Sequence, residues 1–213
     1  MIRLYHAPRT RSARIVWLLE ELELPYRLER VEFQPPARRF FGQSTPTGKL
    51  PTLVDGDLVM CESGAILEYV LERYAAGRLA PAVGSAERGP FLQWIHYAES
   101  TAFPPLGILV WLTIYREDAA DHPAVIQDAR GRASMGFDFL EEQLGDREYL
   151  LASGFSGADI MMGFTLIAAR LLGVLDDRYP ALGRYATRLS ERPAFQRALA
   201  VDADASASSP TDT

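Results

Sequence analysis

Cysteine is almost absent from this sequence, since Cys61 is the only one among 213 residues. An intramolecular disulfide is therefore impossible, which is typical of proteins that fold in a reducing compartment. Cys61 ends an apolar stretch, so we expect it to be a buried, unreactive thiol. Histidine is nearly as scarce, and His6, His96 and His122 show none of the spacings of a zinc site. These shortages predict a protein without a bound metal.

Long apolar runs and excess positive charge are also missing. No stretch approaches the roughly 18 apolar residues that a membrane-spanning helix needs. The first residues, MIRLYH, are too short an apolar stretch for a secretory signal. The formal net charge is −6, which disfavours nucleic acid and anionic membranes as main partners. We therefore expect a cytoplasmic protein that binds neither nucleic acid nor a membrane.

The first 78 residues combine the periodicities of strands and helices. Short apolar or alternating stretches predict strands at 2–6, 26–33, 50–54 and 58–61. Helical spacing of apolar residues predicts helices at 14–23 and 62–74, and the irregular segment 34–48 has room for one more turn of helix. The first strand–helix–strand unit predicts two parallel strands. The Asp55-Gly56 pair predicts an antiparallel hairpin between the last two strands.

The rest of the chain has the period of helices only. We predict helices at 87–103, 105–117, 123–144, 157–173 and 181–200. Residues 75–89 are small and rich in glycine and proline, as in a linker, and residues 202–213 are polar enough to predict a disordered tail. The predicted fold class is therefore an α/β domain over 1–78 followed by an all-α domain over 86–201.

Arginines and hydroxyls crowd the junction between the first strand and the first helix, in the stretch HAPRTRSAR. The N-terminus of a helix carries unpaired N–H groups and about half a positive charge. Together with Arg11 and the hydroxyls of Thr10 and Ser12, it can stabilise an anion such as a thiolate. The alternative is that Thr10 or Ser12 only caps the helix while the arginines are solvated.

A carboxylate and a hydroxyl lie side by side where the predicted hairpin leads into the next helix. Glu62 can pair with an ammonium group, and Ser63 at the helix N-terminus can bind a carboxylate. The zwitterionic end of an amino acid would satisfy both. The alternative is that Ser63 is the N-cap and Glu62 is solvated.

Ser156 and Asp159 have the spacing of a capping box, with Asp in place of the usual Glu. We interpret this motif as a folding device of the helical domain. It carries no predicted chemistry.

Three segments together resemble the cytosolic glutathione transferase superfamily over residues 2 to about 200. They are LYHAPRTRSARIVWLLEEL, GKLPTLVDGDLVMCESGAILEYV and FSGADIMMGF, in the order and at the distances of that family. The segment WIHYAESTAFPPL (94–106) further resembles a bacterial and fungal subgroup related to a yeast glutathione transferase. The resemblance implies a thioredoxin-like N-terminal domain, a helical-bundle C-terminal domain and a homodimer.

The resemblance also assigns a glutathione site. It implies that Pro51 is cis, so that the Leu50 backbone pairs with the cysteinyl part of glutathione. Lys49 is expected at the glycyl carboxylate, and Glu62 and Ser63 at the γ-glutamyl end. Glutathione is the expected co-substrate.

The resemblance leaves the residue that activates the thiol open. Counting back from Arg14 places Thr10 where serine-type members have their catalytic serine, and Ser12 is the alternative donor. Tyr5 matches by strand position the tyrosine of tyrosine-type members. An ungapped match to members with a Thr/Asn loop instead places Arg9 and Arg11 at those positions.

The expected reaction is attack of the glutathione thiolate on a small hydrophobic electrophile. The electrophile is expected against the helical domain, near Phe103, Leu106, Trp111 and Tyr115. A glutathione-dependent disulfide reductase or peroxidase, and a non-catalytic binding module, are the alternatives. No motif encodes the electrophile, because such a pocket is shaped by packing between helices.

Overall fold

The computed structural model describes residues 1–31 and 45–207. Within these residues, the sheet has four strands in the order β2-β1-β3-β4. They are β1 (Ile2–His6), β2 (Tyr26–Arg30), β3 (Thr52–Asp55) and β4 (Leu58–Cys61). β1 is parallel to β2, whereas β3 is antiparallel to both β1 and β4. The predicted parallel pair and hairpin are confirmed, and most of the predicted helical turn in 34–48 lies outside the described residues.

The apolar stripe of the first helix builds the core beside this sheet. Helix α1 (Ala13–Leu22) buries Ile15, Leu18 and Leu19 completely. Burying an aliphatic side chain of this size contributes about 1.5–3 kcal/mol. Helix α2 (Ser63–Tyr74) buries its own stripe, including Ile66 and Val70.

The hairpin turn lies one residue later than the sequence predicts. Asp55 pairs with Leu58 across the hairpin, so the loop consists of Gly56 and Asp57. Gly56 has φ of 61°, a left-handed conformation that glycine adopts without steric penalty. Asp55 belongs to the strand, where it accepts hydrogen bonds from the Tyr69 and Tyr74 hydroxyls.

A second compact unit, Arg78–Leu189, contains the other helices up to α7. They are α3 (Arg88–Tyr97), α4 (Phe103–Ile114), α5 (Pro123–Leu144), α6 (Gly157–Leu171) and α7 (Pro180–Ser190). A π-helical segment, Ala98–Ala102, joins α3 to α4. The single helix predicted over 181–200 is wrong, because α7 ends at Ser190 and α8 (Pro193–Ala207) begins anew. Proline is favoured at the first turn of a helix and disrupts a helix interior.

Helix α8 belongs to the first unit, which comprises Met1–Gly77 and Ser190–Thr213. The prediction of one helical domain over 86–201 is therefore corrected. The physical cause is α1, whose Trp17 ring packs edge-on against Phe195 with centroids 4.8 Å apart. Arg192 adds two hydrogen bonds of 2.6 and 2.8 Å to the Glu21 carboxylate. Because α8 extends to Ala207, residues 202–207 of the predicted disordered tail are helical, and residues 208–213 lie outside the described part.

The predicted capping box is confirmed at the start of α6. Ser156 Oγ accepts a hydrogen bond from the Ala158 N–H, while Asp159 accepts one from the Ser156 N–H. Asp159 also accepts from the Leu150 N–H and the Tyr185 hydroxyl. The carboxylate therefore connects the preceding loop, α6 and α7 inside the second unit.

Candidate active site

The loop between β1 and α1 carries a continuous chain of hydrogen bonds. The His6 imidazole Nδ1 lies 2.8 Å from Ser12 Oγ, which lies 2.6 Å from Thr10 Oγ1. Thr10 Oγ1 in turn donates to the Ala7 carbonyl at 2.8 Å. Ser12 occupies the N-cap position of α1, but within the described residues its side chain makes no capping bond. The interpretation of Ser12 as a side-chain cap is therefore wrong.

The residues that are candidates for donating a hydrogen bond to a thiol differ in solvent exposure. Ser12 and His6 are completely buried, whereas Thr10 is half-buried and has surface that a ligand can reach. Tyr5 packs partly buried in a small apolar cluster with Ala7 and Leu50. Of the neighbouring residues Thr10 and Ser12, Thr10 is the one with solvent-exposed surface.

One cleft gathers the predicted glutathione-binding residues within the first unit. Its lining consists of Arg11, Thr47, Lys49, Leu50, Pro51, Cys61, Glu62 and Ser63. Thr10, Ser12 and Tyr5 lie outside this lining, although Thr10 directly precedes Arg11. The peptide bond between Leu50 and Pro51 is cis, as the resemblance implies.

Cys61 is half-buried and lines the cleft, so the expectation of a fully buried thiol is corrected. It ends β4, one of the two edge strands of the described sheet, where burial is incomplete. Its sulfur lies 3.7 Å from Thr52 Oγ1 on the neighbouring strand.

A buried arginine holds the start of α2. Arg14 is completely buried, and its Nη1 donates to Ser63 Oγ at 3.0 Å. The alternative of solvated arginines is thus wrong for Arg14. Ser63 is the first residue of α2 and Glu62 takes the N-cap position with φ of 69°, so the alternative of Ser63 as N-cap is wrong too. The exposed Glu62 carboxylate and the buried Ser63 hydroxyl therefore lie at one helix N-terminus beside a buried cation.

Sequence reasoning missed two residues that organise this region, His6 and Arg14. A signal for His6 was present, because Ile2 and Leu4 are buried and residue 6 follows them on the same face of β1. Arg14 gave no comparable signal, since arginine at the start of a helix is usually solvated.

The four residues predicted to contact an electrophile all lie in the second unit. Phe103 begins α4 and is half-buried, whereas Leu106 has no exposed surface at all. Trp111 and Tyr115 are 42% and 39% exposed, with ring centroids 6.4 Å apart. Of these four residues, Phe103, Trp111 and Tyr115 have surface open to solvent.

Metal-binding clusters and membrane-spanning helices are both absent from the part of the chain that the structure describes. Among residues 1–31 and 45–207, no group of three or more His, Cys, Asp or Glu side chains could hold a metal ion. In the same part of the chain, no helix is both long and apolar enough to cross a membrane.

Comparison with known proteins decides the family. A model for the N-terminal domain of glutathione S-transferases matches residues 1–72, and one for their C-terminal domain matches residues 123–188. Glutathione S-transferase 3 of Schizosaccharomyces pombe is 30% identical over 91% of this chain and 85% of that protein. The chain belongs to the glutathione S-transferase family.

Two further proteins resemble this member of the glutathione S-transferase family over almost its whole length. Disulfide-bond oxidoreductase YfcG of Escherichia coli is 30% identical over 93% of this chain and 94% of that protein. The structure of Ure2p5 from Phanerochaete chrysosporium, cocrystallised with 1-(S-glutathionyl)-2,4-dinitrobenzene, superposes with a TM-score of 0.83. That chain is 25% identical, with 98% of this chain and 97% of that chain covered. The expected thioredoxin-like domain and helical domain are confirmed.

Proposed function

We propose that this protein is a glutathione transferase that joins the sulfur of glutathione to small hydrophobic electrophiles. The observation that carries the proposal is the gathering of Lys49, Leu50, Pro51, Glu62 and Ser63 in one cleft with Arg11. These residues come from three separate stretches of the sequence, and their chemistry matches the two carboxylates, the ammonium group and the peptide bonds of glutathione.

The cleft contains charged and polar groups complementary to both ends of glutathione. The Glu62 carboxylate pairs with the γ-glutamyl ammonium, and the helix N-terminus at Ser63 binds the adjacent carboxylate. Arg14 donates to Ser63 Oγ, which orients that hydroxyl as a donor to the ligand. Lys49 pairs with the glycyl carboxylate, and the Leu50 backbone bonds the cysteinyl residue.

Thr10 is the proposed donor to the glutathione sulfur. An ordinary thiol has a pKa of about 8.5, so most of it is protonated at neutral pH. Lowering that pKa by about two units requires about 2.7 kcal/mol. A hydrogen bond to a charged group contributes about 1.5–3 kcal/mol, and a helix N-terminus adds about 0.3–1 kcal/mol. Thr10 and the start of α1 together are sufficient.

The chemical step follows directly. The thiol proton leaves to solvent, the sulfur lone pair attacks the electrophilic carbon, and a halide or similar group leaves with the bonding electrons. Phe103, Trp111 and Tyr115 are the candidates for contact with the electrophile, whereas the fully buried Leu106 is the weakest of the four.

Glutathione binding and Thr10 substitutions test the proposal. Calorimetry is expected to show saturable binding of glutathione by the folded protein. With an aryl halide, Thr10→Val is expected to lower kcat/KM about 10- to 100-fold, because one hydrogen bond to a thiolate is lost. Thr10→Ser is the matched control and keeps most activity. Absence of binding, or full activity of Thr10→Val, would refute the proposal.

A disulfide reductase is the second candidate, favoured by the similarity to YfcG over 93% of this chain. The same thiolate would attack one sulfur of a mixed disulfide, forming glutathione disulfide and releasing the other thiol. A panel of aryl halides, hydroperoxides and mixed disulfides distinguishes the two. A non-catalytic binding module is expected to be inactive with all three classes.

The proposed oligomeric state is a homodimer. Light scattering after size-exclusion chromatography is expected to report twice the mass of one chain. Elution at the mass of one chain, at micromolar concentration, would contradict it.

A further inference from the structure

The hydrogen-bond chain between β1 and α1 contains three short links. They join His6 Nδ1 to Ser12 Oγ, Ser12 Oγ to Thr10 Oγ1, and Thr10 Oγ1 to the Ala7 carbonyl, at 2.8, 2.6 and 2.8 Å. All three are within the ordinary range for hydrogen bonds. Each link therefore needs one proton between its two atoms.

Counting protons gives the chain a direction. The Ala7 carbonyl can only accept, so the last link uses the Thr10 proton. Thr10 then has no proton left for Ser12, and the middle link uses the Ser12 proton. Ser12 in turn has none for the imidazole, so the first link requires a proton on His6 Nδ1. With Nδ1 as an acceptor, Ser12 would donate to His6 and Thr10 to Ser12, which leaves the 2.8 Å contact with Ala7 without a proton.

The geometry points to His6 as a positioning residue that donates from Nδ1 to Ser12, which donates to Thr10 and so leaves the Thr10 proton at the partly exposed end of the chain. Its catalytic consequence rests on the proposed function. When a thiolate arrives, the Thr10 hydroxyl turns from the Ala7 carbonyl to the sulfur and still accepts from Ser12. With the opposite direction, the same turn would leave two oxygen lone pairs facing each other across 2.6 Å. His6 thus makes Thr10 an available donor without touching the substrate.

The protonation of His6 can be measured on the wild-type protein without any ligand. Long-range ¹H–¹⁵N correlation spectra report whether Nδ1 of each histidine carries a proton. The chain has 3 histidines, so His96→Asn and His122→Asn assign the His6 signal by elimination. A proton on Nδ1 is the expected result. An unprotonated Nδ1 would overturn the inference.

Two variants then test the consequence for catalysis. His6→Leu removes the donor, and we expect kcat to fall roughly three- to tenfold while KM for glutathione changes less than about twofold. His6→Asn places an amide N–H near the position of Nδ1 and is expected to recover most of kcat. Unchanged kcat in His6→Leu, or an equal loss in both variants at equal thermal stability, would contradict the role of His6.

Calorimetry with glutathione separates this inference from the proposed function. A proton on Nδ1 without glutathione binding would refute the proposed function alone. Glutathione binding with an unprotonated Nδ1 would refute the role of His6 alone.

Discussion

Asp159→Asn is expected to be among the most destabilising single-atom changes in the second unit. Asp159 is completely buried, and both carboxylate oxygens are used. Oδ1 accepts from the Leu150 N–H at 3.0 Å and the Tyr185 hydroxyl at 2.7 Å. Oδ2 accepts from the Ser156 N–H at 2.8 Å and the Ser156 hydroxyl at 2.9 Å. The site thus offers donors on both sides and suits only a group that accepts on both.

An asparagine amide accepts on one side and donates on the other. Tyr185 and Ser156 hydroxyls can rotate their protons away, but backbone N–H groups cannot. Whichever way the amide is turned, its NH₂ group faces the N–H of either Leu150 or Ser156. A buried donor left without an acceptor costs about 1–3 kcal/mol, and the charge-assisted character of the remaining bonds is lost as well. The expected total is about 3–4 kcal/mol.

Denaturant unfolding followed by circular dichroism measures this loss. The midpoint should fall with little change in the m-value. Ser156→Ala is a milder control, expected at about 1–2 kcal/mol, because the cap on the Ala158 N–H and the hydroxyl's bond to Asp159 are lost while both backbone donors keep the carboxylate. A loss below about 1 kcal/mol in Asp159→Asn would refute the argument from fixed backbone donors.

Three further changes are predicted. Asp55→Asn should destabilise the protein near neutral pH, and the difference should shrink as the pH falls below about 4. Hydrogen bonds from the Tyr74 and Tyr69 hydroxyls lower the pKa of Asp55 in the folded protein. The ionised carboxylate therefore contributes to the free energy of unfolding at pH values above the pKa of Asp55 in the unfolded chain. This contribution is lost as the pH falls through the lower pKa of the folded state. Arg192→Met should cost about 1–2 kcal/mol in thermal unfolding, since a half-buried bidentate pair with Glu21 is lost. Arg14→Met should weaken glutathione binding about tenfold by calorimetry, because Ser63 is no longer held.

Each of these predictions has a control variant or an outcome that would contradict it. For Asp55→Asn, a destabilisation that stays constant from pH 7 to pH 3 would contradict the linkage. For Arg192→Met, the control is Arg197→Met on the same helix, whose more exposed ion pair should contribute less than about 1 kcal/mol. For Arg14→Met, the exposed Arg9→Met is the control, and equal affinities in the two variants would count against the role of Arg14.

The periodicity of the sequence was sufficient to predict most elements of the fold. The βαβ unit, the hairpin and the capping box depend on residues close in sequence, and all three are confirmed. The break between α7 and α8 was missed even though Pro193 marks it, because apolar spacing continues on both sides. The assignment of α8 to the first unit depends on long-range pairing with Trp17 and Glu21, which no local pattern encodes.

The sequence predicted those residues of the candidate site whose type and spacing indicate a chemical role. Glu62 and Ser63 were found from their position before a helix, and they lie in the cleft with Lys49. The roles of the buried residues His6 and Arg14 were not predicted. A polar side chain is buried when the fold supplies a hydrogen-bond partner, here Ser12 for His6 and Ser63 for Arg14, and residue type alone does not reveal that partner. The choice between Thr10 and Ser12 likewise depends on the solvent exposure of the two residues, which their spacing in the sequence does not reveal.

The discontinuity of the first unit has a consequence for how the chain is made. A ribosome releases Met1–Gly77 long before Ser190, so α1 emerges without the helix that covers Trp17. During that interval an indole and neighbouring apolar surface are exposed to solvent or to chaperones. A recombinant fragment ending at residue 78 would keep this exposure permanently. A fragment meant to keep the first unit intact should therefore fuse α8 to the end of α2 through a short flexible linker.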